Sequence, residues 1–264
     1  MAHVRFDLPR ALRAARALSA NPDDLPQVFT IIESLSGNTL QRIGDRMQRD
    51  PVGGRLMEGR ADIVERLADR AALARLPDGT LGRAYLAFVE REGISAEGIR
   101  AAAAQGMTGD TPLPAPLDWV HARMRDTHDL WHAAVGYSGD VLGETALLAF
   151  IFAQSQNPAI ALILAIGLAK TVRFPGGGAA ARRTIADGFR RGLRARWLPA
   201  QDWESMLATP LDEVRRRLGL EAPPVYREIR SAELRAVRDA RKATASRSRP
   251  RRAEPAPRAE APTM

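Results

Sequence analysis

Residues 145–169 form the most hydrophobic stretch of the chain, and one polar interruption, Gln154-Ser155-Gln156-Asn157-Pro158, divides it into two apolar runs. Each run is about ten residues long, whereas a helix that spans a bilayer needs roughly twenty. Neither run is expected to cross a membrane. Each is apolar nearly all round, the pattern of a helix buried at the centre of a core or lining a pocket for a long apolar ligand. The rest of the fold has to be built around these two helices.

Composition supports a helical surround. Aromatic residues make up 5% of the 264 positions and 45% are hydrophobic, with Ala, Leu and Arg abundant, a balance that favours helix over sheet. We expect an all-α fold, with a single multi-helix domain over residues 1–235 and a disordered basic tail over 236–264. The chain has no cysteine, which excludes disulfides and thiolate ligands and suits a reducing compartment. Any metal site must therefore use imidazole and carboxylate.

One cluster has those groups. Two of the four histidines fall in His128-Asp129-Leu130-Trp131-His132, and Glu144 follows twelve residues later. The i, i+4 spacing brings both imidazoles to one helix face, with His121 one heptad upstream near the same line. Arg125 lies four residues before Asp129, close enough to orient its carboxylate. Between Arg125 and Lys170 there is no lysine or arginine, yet Asp126, Asp129, Asp140 and Glu144 all fall there, and no acid follows Glu144 until Asp187. A buried carboxylate without a cationic partner is costly, and a divalent ion supplies the missing charge. Paired histidines alone are often incidental; with the added carboxylates, His128, Asp129, His132 and Glu144 become candidate metal ligands, and Asp129 and Glu144 candidate catalytic groups. Gly136 and Gly139 weaken the helix after His132, and Asp140 can cap a new one with Glu144 near its first turn.

The pattern His128-Asp129-x-x-His132 with Glu144 resembles the signature of the coenzyme Q biosynthesis family of the Coq-four type. Further matching segments are Arg123-x-Arg125-x-x-His128, Leu76-Pro77-Asp78-Gly79-Thr80-Leu81-Gly82-Arg83-x-Tyr85, Asp202-Trp203-Glu204 and Pro210-Leu211-x-x-Val214-Arg215. The resemblance implies a ubiquinone biosynthesis protein that replaces the ring carboxylate of a polyprenylated 4-hydroxybenzoate by hydroxyl, an oxidative decarboxylation. It implies a divalent metal, Zn²⁺ first and Fe²⁺ as the alternative, held by His128, Asp129, His132 and Glu144. The expected partners are the polyprenylated aromatic lipid, other ubiquinone biosynthesis enzymes, a membrane surface and a second copy in a homodimer. The expected location is peripheral, on the cytoplasmic face of the bacterial inner membrane or the matrix side in a eukaryote. The alternative is a lipid-binding organiser of a ubiquinone enzyme complex, with a structural metal.

The net charge of +8 does not argue for nucleic acid as a partner. Residues 236–264 hold eight basic and three acidic side chains, leaving a surplus of about three on the folded part. A histidine-aspartate phosphohydrolase needs further histidines from distant helices, and none follows His132. A zinc protease of the H-E-x-x-H kind needs Glu where Asp129 stands. Along the chain we expect helices over residues 1–20, 24–36, 39–48, 56–75 and 80–90, and a short one within 93–106. Pro51 to Gly54 reads as a loop, and residues 107–116 as a connection or a flap. One helix then carries His121, Arg125, His128 and His132. An Arg-rich amphipathic helix over 179–194 offers Arg190, Arg191 and Arg194 to solvent or to anionic headgroups. Trp197 and Trp203 are anchors of a core or of a membrane-facing rim.

Overall fold

The computed structural model describes residues 6–107, 113–175, 178–222 and 224–247, with backbone only for 241–247. The described residues form helices and no strand. In chain order these are α1 (Leu8–Ala20), α2 (Leu25–Leu35), α3 (Thr39–Arg49), α4 (Pro51–Gly59), α5 (Val64–Leu67), α6 (Arg70–Ala74), α7 (Leu81–Glu92), α8 (Ala96–Gly106), α9 (Leu117–Asp126) and α10 (His128–Val135). They continue with α11 (Val141–Ser155), α12 (Pro158–Val172), α13 (Gly178–Arg194), a 3₁₀ turn at Leu198–Ala200, α14 (Trp203–Met206), α15 (Leu211–Leu218) and α16 (Ser231–Arg247).

The two apolar runs become α11 and α12, divided by Gln156 in the left-handed conformation and by Asn157, whose side chain caps the amide of Ala159 at 2.9 Å. They take different roles. Helix α11 is the central element: Ala146, Leu147, Ala149 and Phe150 are all buried. Helix α12 packs beside it, buries Ala159, Ile160 and Ile163, and leaves Leu168 at the surface. Helix α13 closes on α11 at backbone contact. A Cβ added at Gly188 would lie 2.2 Å from the Ala146 carbonyl, and one at Gly192 2.4 Å from that of Phe150. Only glycine allows that approach.

Helix α10 is buried from Asp129 to Val135. Its last carbonyls, which no helical amide can reach, are met by two arginines. Arg191 donates to Val135 at 2.7 Å and Arg215 to Ala134 at 2.9 Å, placing cations at the negative end of the helix dipole. Arg191 is 2% exposed, so it does not join Arg190 and Arg194 on the outer face of α13. The segments after Leu76 and before Pro210 also meet: the amides of Leu81, Gly82 and Leu211 donate to Thr209, Leu207 and Gly79. Arg123 grips Glu204 through two bonds of 2.7 and 2.9 Å. Trp203 is fully buried beside them, with its N–H on the Leu198 carbonyl, which makes it a core anchor.

Three expected boundaries differ. Pro51 opens α4 instead of a loop, because Asp50 caps the amides of Val52 and Gly53 and proline at the first helical position loses no bond. Residues 56–75 are not one helix; Arg60 ends α4 at positive φ, and Asp62 and Asp69 each cap a new start. The helix expected to run from His121 to His132 is divided at Thr127, whose hydroxyl takes the Arg123 carbonyl at 2.8 Å. At the C-terminus, α16 runs across the expected boundary at residue 235. The rest of the tail, from 248, lies outside the described residues, as do 108–112 of the loop over 107–116 and the first five positions.

The chain after α15 returns to the middle of the fold. Glu92, at the end of α7, is the hub: it receives Arg230 at 2.5 Å, Arg91 and the Gly139 amide. Burial alone would raise its carboxyl; the Arg230 bond and charge, the Gly139 amide and Arg91 hold it below the ordinary value. A lowered folded-state pKa stabilises above the unfolded value of about 4.3, and the contribution is lost as pH falls through the folded value. We therefore expect Glu92→Gln to be less stable than the wild type at neutral pH, with the gap narrowing progressively below about pH 4.3. Melting curves across that range check this; a gap independent of pH would contradict it.

Candidate metal centre

The site is built where α10 and α11 face each other across the turn 136–140. Gly136 adopts φ 91° to end α10, and Asp140 caps α11 by accepting the amides of Leu142 and Gly143. That cap sets the direction of α11 and puts Glu144 in its first turn, where a carboxylate suits the dipole. Glu144 Oε1 then lies 3.0 Å from His132 Nε2, and Oε2 lies 3.8 Å from His128 Nε2. One ligand atom from each of the three residues falls within 4.8 Å of the others.

The outer ring nitrogens decide what these groups can hold. His132 Nδ1 sits 2.9 Å from the Tyr137 carbonyl, and His128 Nδ1 sits 3.2 Å from Asp129 Oδ1. An acceptor behind each Nδ1 fixes the tautomer with the proton there and presents Nε2 bare towards Glu144, the arrangement found behind metal-bound histidines. A neutral imidazole has one N–H, yet His132 lies between two acceptors, the Tyr137 carbonyl and the Glu144 carboxylate. A cation between Nε2 and Glu144 satisfies both. The residues present thus fit a divalent ion, with imidazole and carboxylate donors compatible with Zn²⁺ and Fe²⁺ alike.

Electrostatics agree. Burial opposes a charge on His128, but its bond to Asp129 and the charges of Glu144 and Asp129 push it up to about 9. Burial would likewise raise Glu144, yet His132 and His128 hold it at about 2. Without an ion this negative pocket holds a proton on His128; a divalent cation would take its place. His132 is fully enclosed, stacked on Phe88 with ring centres 4.9 Å apart and planes 14° from parallel. Glu144 keeps 41% of its side-chain surface open, so the centre is closed behind the histidines and open in front of the carboxylate.

In front lies a cavity of about 2080 Å³ that His128, Asp129 and Glu144 help to line. Its walls come from α2, α11 and α12 among other elements, including Val28, Ile32, Leu148, Ile160, Ile163 and Ile166. A drug-sized pocket occupies about 300–1,000 Å³, so this one has room for a ring and a long chain.

The four expected ligands are placed unequally. His128, His132 and Glu144 converge, whereas Asp129 stands behind His128. Arg125 pairs with Asp126 at 2.6 and 3.1 Å and not with Asp129. His121 lines the cavity from α9, and its imidazole is pushed down by burial and by the charge of Arg125. The Tyr137 carbonyl has no sequence signal, since any residue supplies one. Phe88 and Tyr85 are buried in the core, and the contact of Phe88 with His132 depends on how α7 packs against α10.

An all-α protein with two histidines and a glutamate brought together beside a large apolar cavity, which His128 and Glu144 line, is the class that fold and site define. The family profile described as Coenzyme Q (ubiquinone) biosynthesis protein Coq4 matches residues 8–224. The chain belongs to that family. It is 34% identical over 227 residues to the mitochondrial ubiquinone biosynthesis protein coq4 of Pyrenophora tritici-repentis, covering 82% of this chain and 72% of that one. To the mitochondrial COQ4 of Phaeosphaeria nodorum it is 32% identical over 234 residues, covering 85% and 76%. In fold it is similar to the crystal structure of a provisionally assigned ubiquinone biosynthesis protein from Nostoc punctiforme PCC 73102. That match has a TM-score of 0.62 at 24% identity and covers 82% of this chain and all of the other.

Proposed function

We propose that this ubiquinone biosynthesis protein is a metal-dependent enzyme that exchanges the carboxyl group of a polyprenylated 4-hydroxybenzoate ring for hydroxyl. The observation that carries the reading is that the cluster of His128, His132 and Glu144 reaches the apolar cavity through His128 and Glu144. The exchange is a two-electron oxidation of the ring that releases carbon dioxide; it balances with water as the source of the hydroxyl and dioxygen as the acceptor, reduced to hydrogen peroxide.

His128, His132 and Glu144 would hold the ion, and Asp129 would orient His128 through Nδ1. The bound ion supplies a Lewis acid or an oxygen-activating centre in front of Glu144. His132, locked between Phe88 and the Tyr137 carbonyl, keeps its nitrogen aimed without further ordering. The partly open Glu144 can take or return a proton at the ring oxygens. The isoleucines of α12 exclude water from the rest of the substrate, where an isoprenoid chain fits.

No helix among the described residues is long and apolar enough to cross a membrane. In this reading the protein works as a homodimer at a membrane surface beside other ubiquinone biosynthesis enzymes, on the inner face in a bacterium. The relatives are named mitochondrial, which supports a mitochondrial location in a eukaryote; the matrix side belongs to the proposal. Purified without chelator and supplied with a prenylated 4-hydroxybenzoate, the protein should release carbon dioxide only when dioxygen is present. Glu144→Ala should stay folded and release none. A folded Glu144→Ala protein with full activity would overturn catalysis by this site and favour a lipid-binding organiser with a structural metal.

A further inference from the structure

We infer that Tyr226, which lies beyond the segment matched by the family profile, is a positioning residue of the metal centre. Its hydroxyl fixes the turn from which both His132 and Glu144 take their alignment. This rests on reading His128, His132 and Glu144 as metal ligands.

The turn 137–140 has two tasks. Its first residue offers the carbonyl that orients His132, and its last caps the helix that carries Glu144. The C-terminal segment ties the middle of this turn to its end. The Tyr226 hydroxyl accepts the Ser138 amide at 2.9 Å and donates to Asp140 Oδ2 at 2.8 Å. Ile229 repeats the grip one turn of chain later: its amide donates to Asp140 Oδ1 at 2.8 Å, and its carbonyl accepts the Val141 amide at 3.0 Å. Asp140 is thereby buried with four donors around it, two from α11 and two from the strap. Arg230 anchors the far end on Glu92, which also holds the Gly139 amide.

Gly143 gives an independent sign that the hydroxyl belongs there. A Cβ at that position would stand 2.4 Å from the Tyr226 oxygen and 2.1 Å from the Ser138 carbonyl. The residue immediately before Glu144 is therefore one whose missing side chain makes room for the tyrosine. The Tyr226 ring also leans on Tyr137, with centres 6.1 Å apart, behind the carbonyl that holds His132. Tyr226→Phe removes the hydroxyl and keeps the ring.

The test uses the full-length chain with Co²⁺ alone, titrated by visible absorption, which reports both affinity and ligand geometry. Tyr226→Phe should bind about tenfold more weakly than the wild type, at the lower end of what changes around a metal ligand cost. Its absorption bands should shift as Glu144 loses its alignment. Asp140→Asn, which keeps the shape but weakens both caps, should move the same readouts and stands in if Tyr226→Phe fails to fold. A strap that is merely structural would lower the melting temperature and leave affinity and bands of the folded protein unchanged, which overturns the inference. Absence of Co²⁺ binding by the wild type would remove the metal reading itself, and this inference with it.

Discussion

His132→Ala should abolish the metal uptake proposed for this site: in a Zn²⁺ or Co²⁺ titration the affinity is expected to fall by more than about 100-fold, beyond what substitutions around a ligand cause. The imidazole supplies Nε2 at 3.0 Å from Glu144 and has the fixed orientation of a ring clamped at its other nitrogen. No other described His, Cys, Asp or Glu joins the cluster to replace it. The same change leaves the Tyr137 carbonyl without its donor and a gap beside Phe88, so stability also falls, by about 1–3 kcal/mol for the unpaired group. His128 is partly open, and His128→Ala should lose the metal with a smaller shift in melting temperature. Comparing the two separates loss of the site from loss of the fold. Metal affinity within tenfold of the wild type in folded His132→Ala protein would sink this assignment of ligands.

The largest stability effect is expected at Trp203. It has no exposed surface, belongs to the main core cluster, and spends its only polar hydrogen on the Leu198 carbonyl. Truncation to alanine should cost about 3–5 kcal/mol, the usual range for a large aromatic core residue whose cavity collapses only in part. The damage should reach Arg123, whose bidentate partner Glu204 is the next residue in the chain. Urea unfolding of Trp203→Ala measures the loss. A cost under about 1.5 kcal/mol would mean that the core repacks and that the residue is not the anchor described here.

Much of the site was legible because helical periodicity is local. His128 and His132 share a face by spacing alone, and Asp140 announced the start of the helix that delivers Glu144. The fold class was legible for a similar reason, since two short apolar runs among Ala-, Leu- and Arg-rich segments leave a helical bundle as the ready solution. Local capping was harder to read. Asp50 turned an apparent loop at Pro51 into a helix, and Thr127 divided the motif helix, because in each case the hydrogen bonding of one side chain outweighed the pattern around it.

The sequence by itself determined an all-helical chain, two apolar helices and a candidate set of metal ligands. The tertiary structure decided how those ligands are used. Asp129 and Glu144 are equally plausible carboxylates along the chain, but only Glu144 is carried across to the two Nε2 atoms, while Asp129 is left behind His128. Likewise Arg190, Arg191 and Arg194 read alike until the contact of α11 with α13 buries the middle one at the end of α10. Spacing sets which face of its own helix a residue occupies. What that face meets depends on how distant segments pack, and here a strap from beyond residue 224 helps to hold the turn between the two ligand helices.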